Sequence, residues 1–314
     1  MSRCVWLPFA SIEEAEEAVG PIPEGLRADC FLVGQEWPES IGEVELLVAP
    51  YLDPVEAVME RAGEMTKLRV IQLQTAGFET YLPLLPAGVT LCNAAGVHDT
   101  STAELAIALA LVNNRHLDTY ARNMPAGVWA GGFGESLADH RVLIVGYGHI
   151  GRAIEARVSA FEVAGVTRVA STARIADGRQ IHGIDELPAL LPDADIVFLT
   201  TPLTPATRHL IGARELALLP RGALVVNVSR GPVVDTDALV AALNAGQVRA
   251  SMDVTDPEPL PADHPLWHAP GAFISPHVGG ASSAFYPRSY RLIREQLRRF
   301  AAGEPLANVI VAGD

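Results

Sequence analysis

The feature that most constrains this 314-residue chain is a strand that runs straight into a glycine turn. Residues 141–145 (RVLIV) lead into Gly146-Tyr147-Gly148-His149-Ile150-Gly151, and Ile150, Ile154, Val158 and Phe161 then recur at helical spacing. G-x-G-x-x-G in a strand, turn, helix setting has a physical reading. The first glycine permits the tight turn, the second lets a pyrophosphate approach the backbone, and the third lets helix and strand pack closely. Free N–H groups and the dipole at the helix start favour the phosphate charge. Alone, the motif leaves a nicotinamide enzyme, a flavoprotein and a methyltransferase open, and a ligand-free glycine turn is the plain alternative.

The motif sits in a regular series. Apolar runs at 141–145, 164–170, 196–200 (IVFLT), 223–228 (ALVVNV), 248–253 (VRASMD) and 272–275 (AFIS) alternate with helical stretches or turns. Strands that are apolar throughout and alternate with helices indicate a parallel sheet covered on both faces, so this part is doubly wound. Before it, residues 43–50 (EVELLVAP), 68–74 (LRVIQLQ) and 89–93 (VTLCN) read as strands and 13–19 and 55–62 as helices. The acidic run EEAEE is a solvated helix face. STAELAIALALVNNRHLDTYARNM reads as one helix of more than twenty residues with Ser101 and Glu104 as a capping box, buried between domains or in a subunit interface. The loop at 125–134 (PAGVWAGGFG) is a connector. At this length two domains are the default.

The end of the second strand bears on the cofactor. An Asp or Glu about twenty residues beyond the fingerprint would bind the ribose 2′-OH of NAD. Between Glu162 and Asp177 the chain instead reads VAGVTRVASTARIA, with Arg168 and Arg174 as its only charges. Arg168 is assigned to a 2′-phosphate, which an Arg can hold bidentately; its bland alternative is a surface cation.

Three later strands end at Ser229-Arg230-Gly231, at Asp253 and at Ser275-Pro276-His277, with Asp256-Pro-Glu258-Pro between the last two. Ligands in open α/β sheets bind outside the carboxyl ends of the strands, so these side chains share the dinucleotide's crevice. Arg230 offers a planar fork for a carboxylate, His277 exchanges a proton near neutral pH, and Glu258 stabilises charged His277. Taken singly each has a bland reading, as an ion pair or a loop residue; together at strand ends beside the fingerprint they favour catalysis. The remaining histidines show no metal-ligand spacing, and no metal site is expected.

These residues resemble the D-isomer-specific 2-hydroxyacid dehydrogenases, the group that includes glyoxylate/hydroxypyruvate reductases and phosphoglycerate dehydrogenases. The resemblance runs through NAAGVHDTSTAE, VGYGHIG, TTPLTPATRHLIG, LLPRGALVVNVSRGPVVDTDAL, MDVTDPEPLP and SPHVGG, over roughly residues 93–280. It implies a Rossmann dinucleotide domain (94–280) inserted into a smaller flavodoxin-like α/β substrate domain (1–93 plus 281–314), with the last helix at about 282–302. It implies that Arg230 binds the substrate carboxylate, that His277 is the acid/base with Glu258 as its partner, and that the backbone at Ala76 and Gly77 contacts substrate. Thr102, Gly146, Gly148, His149, Ile150, Gly151, Thr201, Thr207, Val228, Ser229, Asp253 and Gly279 are implied along the cofactor, and a homodimer through the helix after Asn93. The absent acid points to NADP over NAD. TAGFE and the His98-Asp99 pair depart from the family's more usual Gly-Val-Asp and Asn-Asp, which makes the substrate pocket atypical.

The expected function is reduction of a small 2-oxo acid, glyoxylate- or hydroxypyruvate-like, to the D-2-hydroxy acid. The alternatives are a dinucleotide-dependent dimeric binding or corepressor-like protein of the same family, and a dehydrogenase for another acid or an inorganic anion. The 23 Lys and Arg against 37 Asp and Glu give a net charge of −14, which disfavours nucleic acid and anionic membranes as partners. Cys4, Cys30 and Cys92 form neither a disulfide framework nor a C-x-x-C pair, and the start reads as neither signal nor transit peptide, so a cytoplasmic setting is expected.

Overall fold

The computed structural model describes residues 2–51 and 54–313 and divides the chain into two compact units, residues 1–98 with 283–314, and residues 99–282. The first unit holds β1 (Arg3–Leu7), α1 (Ile12–Val19), β2 (Leu26–Cys30), β3 (Val44–Val48), α2 (Val55–Glu60), β4 (Val70–Gln72) and β5 (Thr90–Cys92). The second holds α3 (Asp99–Asn114), α4 (Leu117–Asn123), β6 (Arg141–Val145), α5 (His149–Val158), β7 (Gly165–Ala170), β8 (Arg174–Ala176), β9 (Arg179–Gly183), α6 (Leu187–Leu190), β10 (Ile196–Leu199), α7 (Ala213–Leu218), β11 (Ala223–Asn227), α8 (Thr236–Asn244), β12 (Val248–Met252) and β13 (Ala272–Ile274). The chain then returns to the first unit with α9 (Phe285–Ala302) and β14 (Val309–Val311).

The first unit's sheet runs β14-β5-β4-β3-β1-β2, parallel except for β14, which is the flavodoxin-like order with one strand added. Apolar clusters cover both faces, one around Trp6, Leu47 and Ile71, the other joining Val5, Leu46 and Val70 to Ile293, Leu297 and Phe300 of α9. In α1, Ala15 and Val19 are buried while Glu13, Glu14, Glu16 and Glu17 face solvent. Strands β1 and β2 escape the sequence pattern: β1 is short and starts on Arg3, and β2 (LRADC) is a half-exposed edge strand with no apolar run.

The second sheet runs β13-β12-β11-β10-β6-β7-β9-β8, and the order reverses between β6 and β10. The reason these strands are apolar throughout is visible in β6. Val142 and Ile144 pack on one face, Leu143 and Val145 on the other. The antiparallel β8–β9 hairpin turns at Asp177-Gly178, both at positive φ, an Asp-Gly hairpin signal the strand pattern overlooks.

The expected single long helix is corrected to two. His116 takes a left-handed φ of 55° and separates α3 from α4. Asn113 and Asn114 are buried at the end of α3 and bond outward, Asn113 Nδ2 to Ala250 O and Gly271 O, and both amide oxygens to Arg249, so tertiary partners hold the break. The capping box is also corrected: α3 already starts at Asp99, and Ser101 Oγ instead meets Ser282 Oγ at 2.6 Å. Helix α3 packs on α5, β11, β12 and β13, so much of its apolar surface is used within its own unit. Among the described residues, no helix is long and apolar enough to cross a membrane.

Candidate active site

The glycine turn lies at the point where the sheet order reverses, where open α/β sheets bind their ligands. Gly146 has φ 103°, and a Cβ there would stand 2.6 Å from Thr200 C and Thr201 N, so only glycine lets the turn pass the end of β10. A Cβ on Gly151 would stand 2.8 Å from Gly146 O, which is why α5 can start against the turn. At Gly148 the nearest atom is 4.0 Å away, so this position opens outward. His149 is the first residue of α5, with Nδ1 3.4 Å from Asp99 Oδ2, and Ile150 follows half-buried. Thr201 is buried, and its Oγ1 has no hydrogen-bond partner among the described residues. An open glycine, a helix start with unspent N–H groups and an orphaned hydroxyl fit a dinucleotide.

Arg168 is corrected. It pairs in register with Ile144, within β7, two residues before the strand's end, and its guanidinium is spent on Glu155 of α5 through Nε at 2.9 Å and through Nη2. The side chain is 17% exposed, and the bonds to Glu155 hold its pKa above the ordinary arginine value. The exposed turn after β7 is Ser171-Thr172-Ala173, and the first cation beyond it is exposed Arg174, which opens β8.

The other chemistry gathers at the ends of β11, β12 and β13. His277 Nδ1 lies 2.5 Å from Glu258 Oε1, and both side chains are partly exposed. The hydrogen bond that His277 donates to Glu258 raises the His277 pKa above its ordinary 6.5, against burial and the charge of Arg230, which lower it. Burial pushes the Glu258 carboxyl up, but the His277 hydrogen bond and the charges of His277 and Arg230 carry it below the usual range. His277 itself has φ 52°, an uncommon backbone state for a side chain of this size, held by its N–H donating to Asp253 O at 2.8 Å.

Two residues absent from the sequence candidates build this corner. Buried Asn227, which ends β11, accepts from Ser229 N at 3.0 Å and Ser229 Oγ at 2.7 Å and donates to Arg230 O at 3.1 Å, so it fixes the loop presenting Arg230. Its signal was one polar residue closing an apolar strand. Gly231 is the second: a Cβ there would stand 1.8 Å from Thr255 O, so glycine lets the Arg230 and Glu258 loops touch.

The remaining candidates are placed as follows. Asp253 is buried and accepts from Ser275 Oγ, Val278 N and Gly279 N at 2.6, 2.9 and 2.7 Å, which shapes the loop carrying His277. Gly279 lies against Asp253 and Thr102, while Val228 and Ser229 are buried after β11. Thr207 Oγ1 is bonded within its own turn, to Pro202 O at 2.7 Å and from Thr204 N at 2.8 Å. In the first unit the carbonyls of Ala76 and Gly77 accept from Asn93 Nδ2 and Thr75 Oγ1, both at 2.7 Å, so the segment's remaining offer to a ligand is its N–H groups. His98 is stacked with Tyr51 and Phe285 and bonded to Gln74 O at 2.9 Å. Among the described residues no group of three or more His, Cys, Asp or Glu could hold a metal ion.

Comparison with known proteins identifies the family. Residues 107–279 match the D-isomer specific 2-hydroxyacid dehydrogenase, NAD binding domain. The chain is 30% identical over 285 residues to a glyoxylate reductase of Korarchaeum cryptofilum, covering 87% of this chain and 84% of the relative. It is 32% identical over 250 residues to glyoxylate/hydroxypyruvate reductase B of Pectobacterium carotovorum, covering 74% and 78%. Among solved structures, a D-isomer specific 2-hydroxyacid dehydrogenase of Xanthobacter autotrophicus, crystallised with NADPH and MES, superposes with a TM-score of 0.82 at 28% identity, covering 99% of this chain and 98% of that one.

Proposed function

Because the chain belongs to the D-isomer specific 2-hydroxyacid dehydrogenase family, we propose that it reduces a small 2-oxo acid of the glyoxylate or hydroxypyruvate kind to the D-2-hydroxy acid, with His277 as proton donor. The observation that carries this is the His277–Glu258 pair, set at the strand ends close enough to Arg230 to feel its charge. A bound nicotinamide dinucleotide supplies the hydride to C2. The chain supplies the rest. Arg230 holds the substrate carboxylate, and its positive charge gains value as negative charge builds on the carbonyl oxygen. With Nδ1–H held by Glu258, the proton at His277 Nε2 is the one delivered to that oxygen, and ionised Glu258 stabilises the imidazolium until it leaves. The N–H groups of Ala76 and Gly77 are proposed to contact substrate.

NADPH is favoured over NADH as the reductant. Arg174 opens β8 just past the β7 turn, in the stretch where a ribose-binding acid is missing, and the similar Xanthobacter enzyme was crystallised with NADPH. A homodimer is the favoured assembly. Trp129 and Phe133 are fully exposed on a loop whose Gly132 and Gly134 line a cavity of about 290 Å³ with Leu111, Leu117 and Tyr120, and a second copy would bury them. The three cysteines are free thiols, in keeping with a reducing cytoplasm.

The test is a screen of glyoxylate, hydroxypyruvate, pyruvate and bulkier 2-oxo acids, each with NADPH and NADH, read by cofactor oxidation. Turnover of the smaller acids with NADPH is expected. Turnover with none would turn the reading toward a dinucleotide-dependent binding protein.

A further inference from the structure

The middle residue of the glycine turn is held from three sides. Tyr147 donates its N–H to Val169 O at 2.8 Å, its carbonyl is approached by Arg174 Nη2 at 3.5 Å, and its hydroxyl donates to Glu155 Oε2. Glu155, on α5, is 6% exposed and also accepts from Arg168 of β7, with Arg179 Nη1 of β9 3.5 Å away. The guanidiniums of Arg152 and Arg168 lie 5.5 and 5.8 Å from the centroid of the Tyr147 ring. One buried carboxylate thus ties together the turn, α5, β7 and β9.

This cluster is costly. Burial pushes the Glu155 carboxyl up, and only the bonds from Arg168 and Tyr147 and the nearby cations bring it below the usual range. Apolar side chains of similar volume would join α5 to β7 at less cost in desolvation. What they would lack is an acceptor for Tyr147, and Tyr147 stands between the two glycines whose geometry admits a pyrophosphate.

We propose that Glu155 is a positioning residue for the dinucleotide: by holding the Tyr147 hydroxyl against α5, it sets the Gly146–Gly148 turn and the first N–H groups of α5 in their binding geometry before the cofactor arrives. The inference rests on the reading that this turn binds a dinucleotide. Without the anchor, ordering the turn is charged to binding, and the chemical step at His277 is untouched.

The experiment measures NADPH and NADH affinity of the full chain, with no 2-oxo acid present, alongside melting temperature and saturated turnover. Tyr147→Phe keeps the ring near its two cations and deletes only the hydroxyl. Both dissociation constants are expected to rise roughly 5- to 30-fold, the equivalent of ordering one backbone residue, with kcat at saturating cofactor within about twofold of wild type. Glu155→Gln keeps an acceptor for the Tyr147 hydroxyl and is expected to lose less affinity than Glu155→Leu. The pair replacement Glu155→Leu with Arg168→Leu separates positioning from folding. Its melting temperature is expected to recover relative to Glu155→Leu alone while the weakened affinity persists. Unchanged affinity in Tyr147→Phe, or affinity that returns with melting temperature in the pair replacement, would overturn the inference. Wild-type protein that binds neither dinucleotide would instead bring down the proposed function, and this inference with it.

Discussion

Two carboxylate–cation pairs in the unit of residues 99–282 have the same kind of contact and opposite surroundings. Glu155 and Arg168 lie between α5 and β7, 6% and 17% exposed, and a guanidinium does not surrender its proton at any ordinary pH. Glu258 and His277 sit past the ends of β12 and β13, 39% and 49% exposed, and an imidazole changes charge near neutrality. A buried pair with fixed charge can only hold geometry. A partly exposed pair with a titrating member can hold a proton and give it away. The side of the sheet edge on which a pair falls, and whether its cation titrates, decides whether it positions or reacts.

By that contrast, the largest effect belongs to the titrating pair. His277→Ala is expected to lower kcat by about 100- to 10,000-fold, the span general acid–base catalysis supplies, while dinucleotide affinity stays near wild type. A variant that turns over almost normally would put the proton donor elsewhere. Asn227→Ala tests how the reacting corner is supported. Losing buried hydrogen bonds to Ser229 and Arg230 should cost about 1–3 kcal/mol in unfolding free energy and raise KM for the 2-oxo acid more than KM for the cofactor. Denaturant unfolding read beside steady-state kinetics checks both. The smallest effect sharpens the cofactor end: Arg174→Ala should erode the NADPH over NADH preference by about tenfold, ~1.4 kcal/mol. Loss of that preference in Arg168→Met, but not in Arg174→Ala, would return the 2′-phosphate to the half-buried Arg168.

What was legible in the sequence follows from the same physics. Strand β6 was readable to the residue because both its faces are buried, so its apolar run has sharp ends. The meeting of Glu258 with His277 was readable because the loop that follows β12 and the turn that follows β13 leave the sheet at the same edge. Arg168 was misread because its role depends on register with Ile144 and on a carboxylate one helix away, neither of which leaves a local mark. The break at His116 was invisible for a similar reason. It carries no Gly or Pro, and is held by Asn113, Asn114 and Arg249 meeting across more than 130 residues of chain. Strand β2 has too little apolar surface to announce itself, being an edge strand.

The central claim is that Glu258 keeps His277 protonated for delivery, and the pH dependence of kcat/KM for 2-oxo acid reduction tests it most directly. Protonated His277 is the active form, and its pKa is raised above the ordinary 6.5, so activity should persist above that pH and fall as pH rises through the raised value. In Glu258→Gln the raising partner is gone, and the basic limb should move to lower pH. Superimposable limbs in the two proteins, or no basic limb in the wild type, would contradict the account.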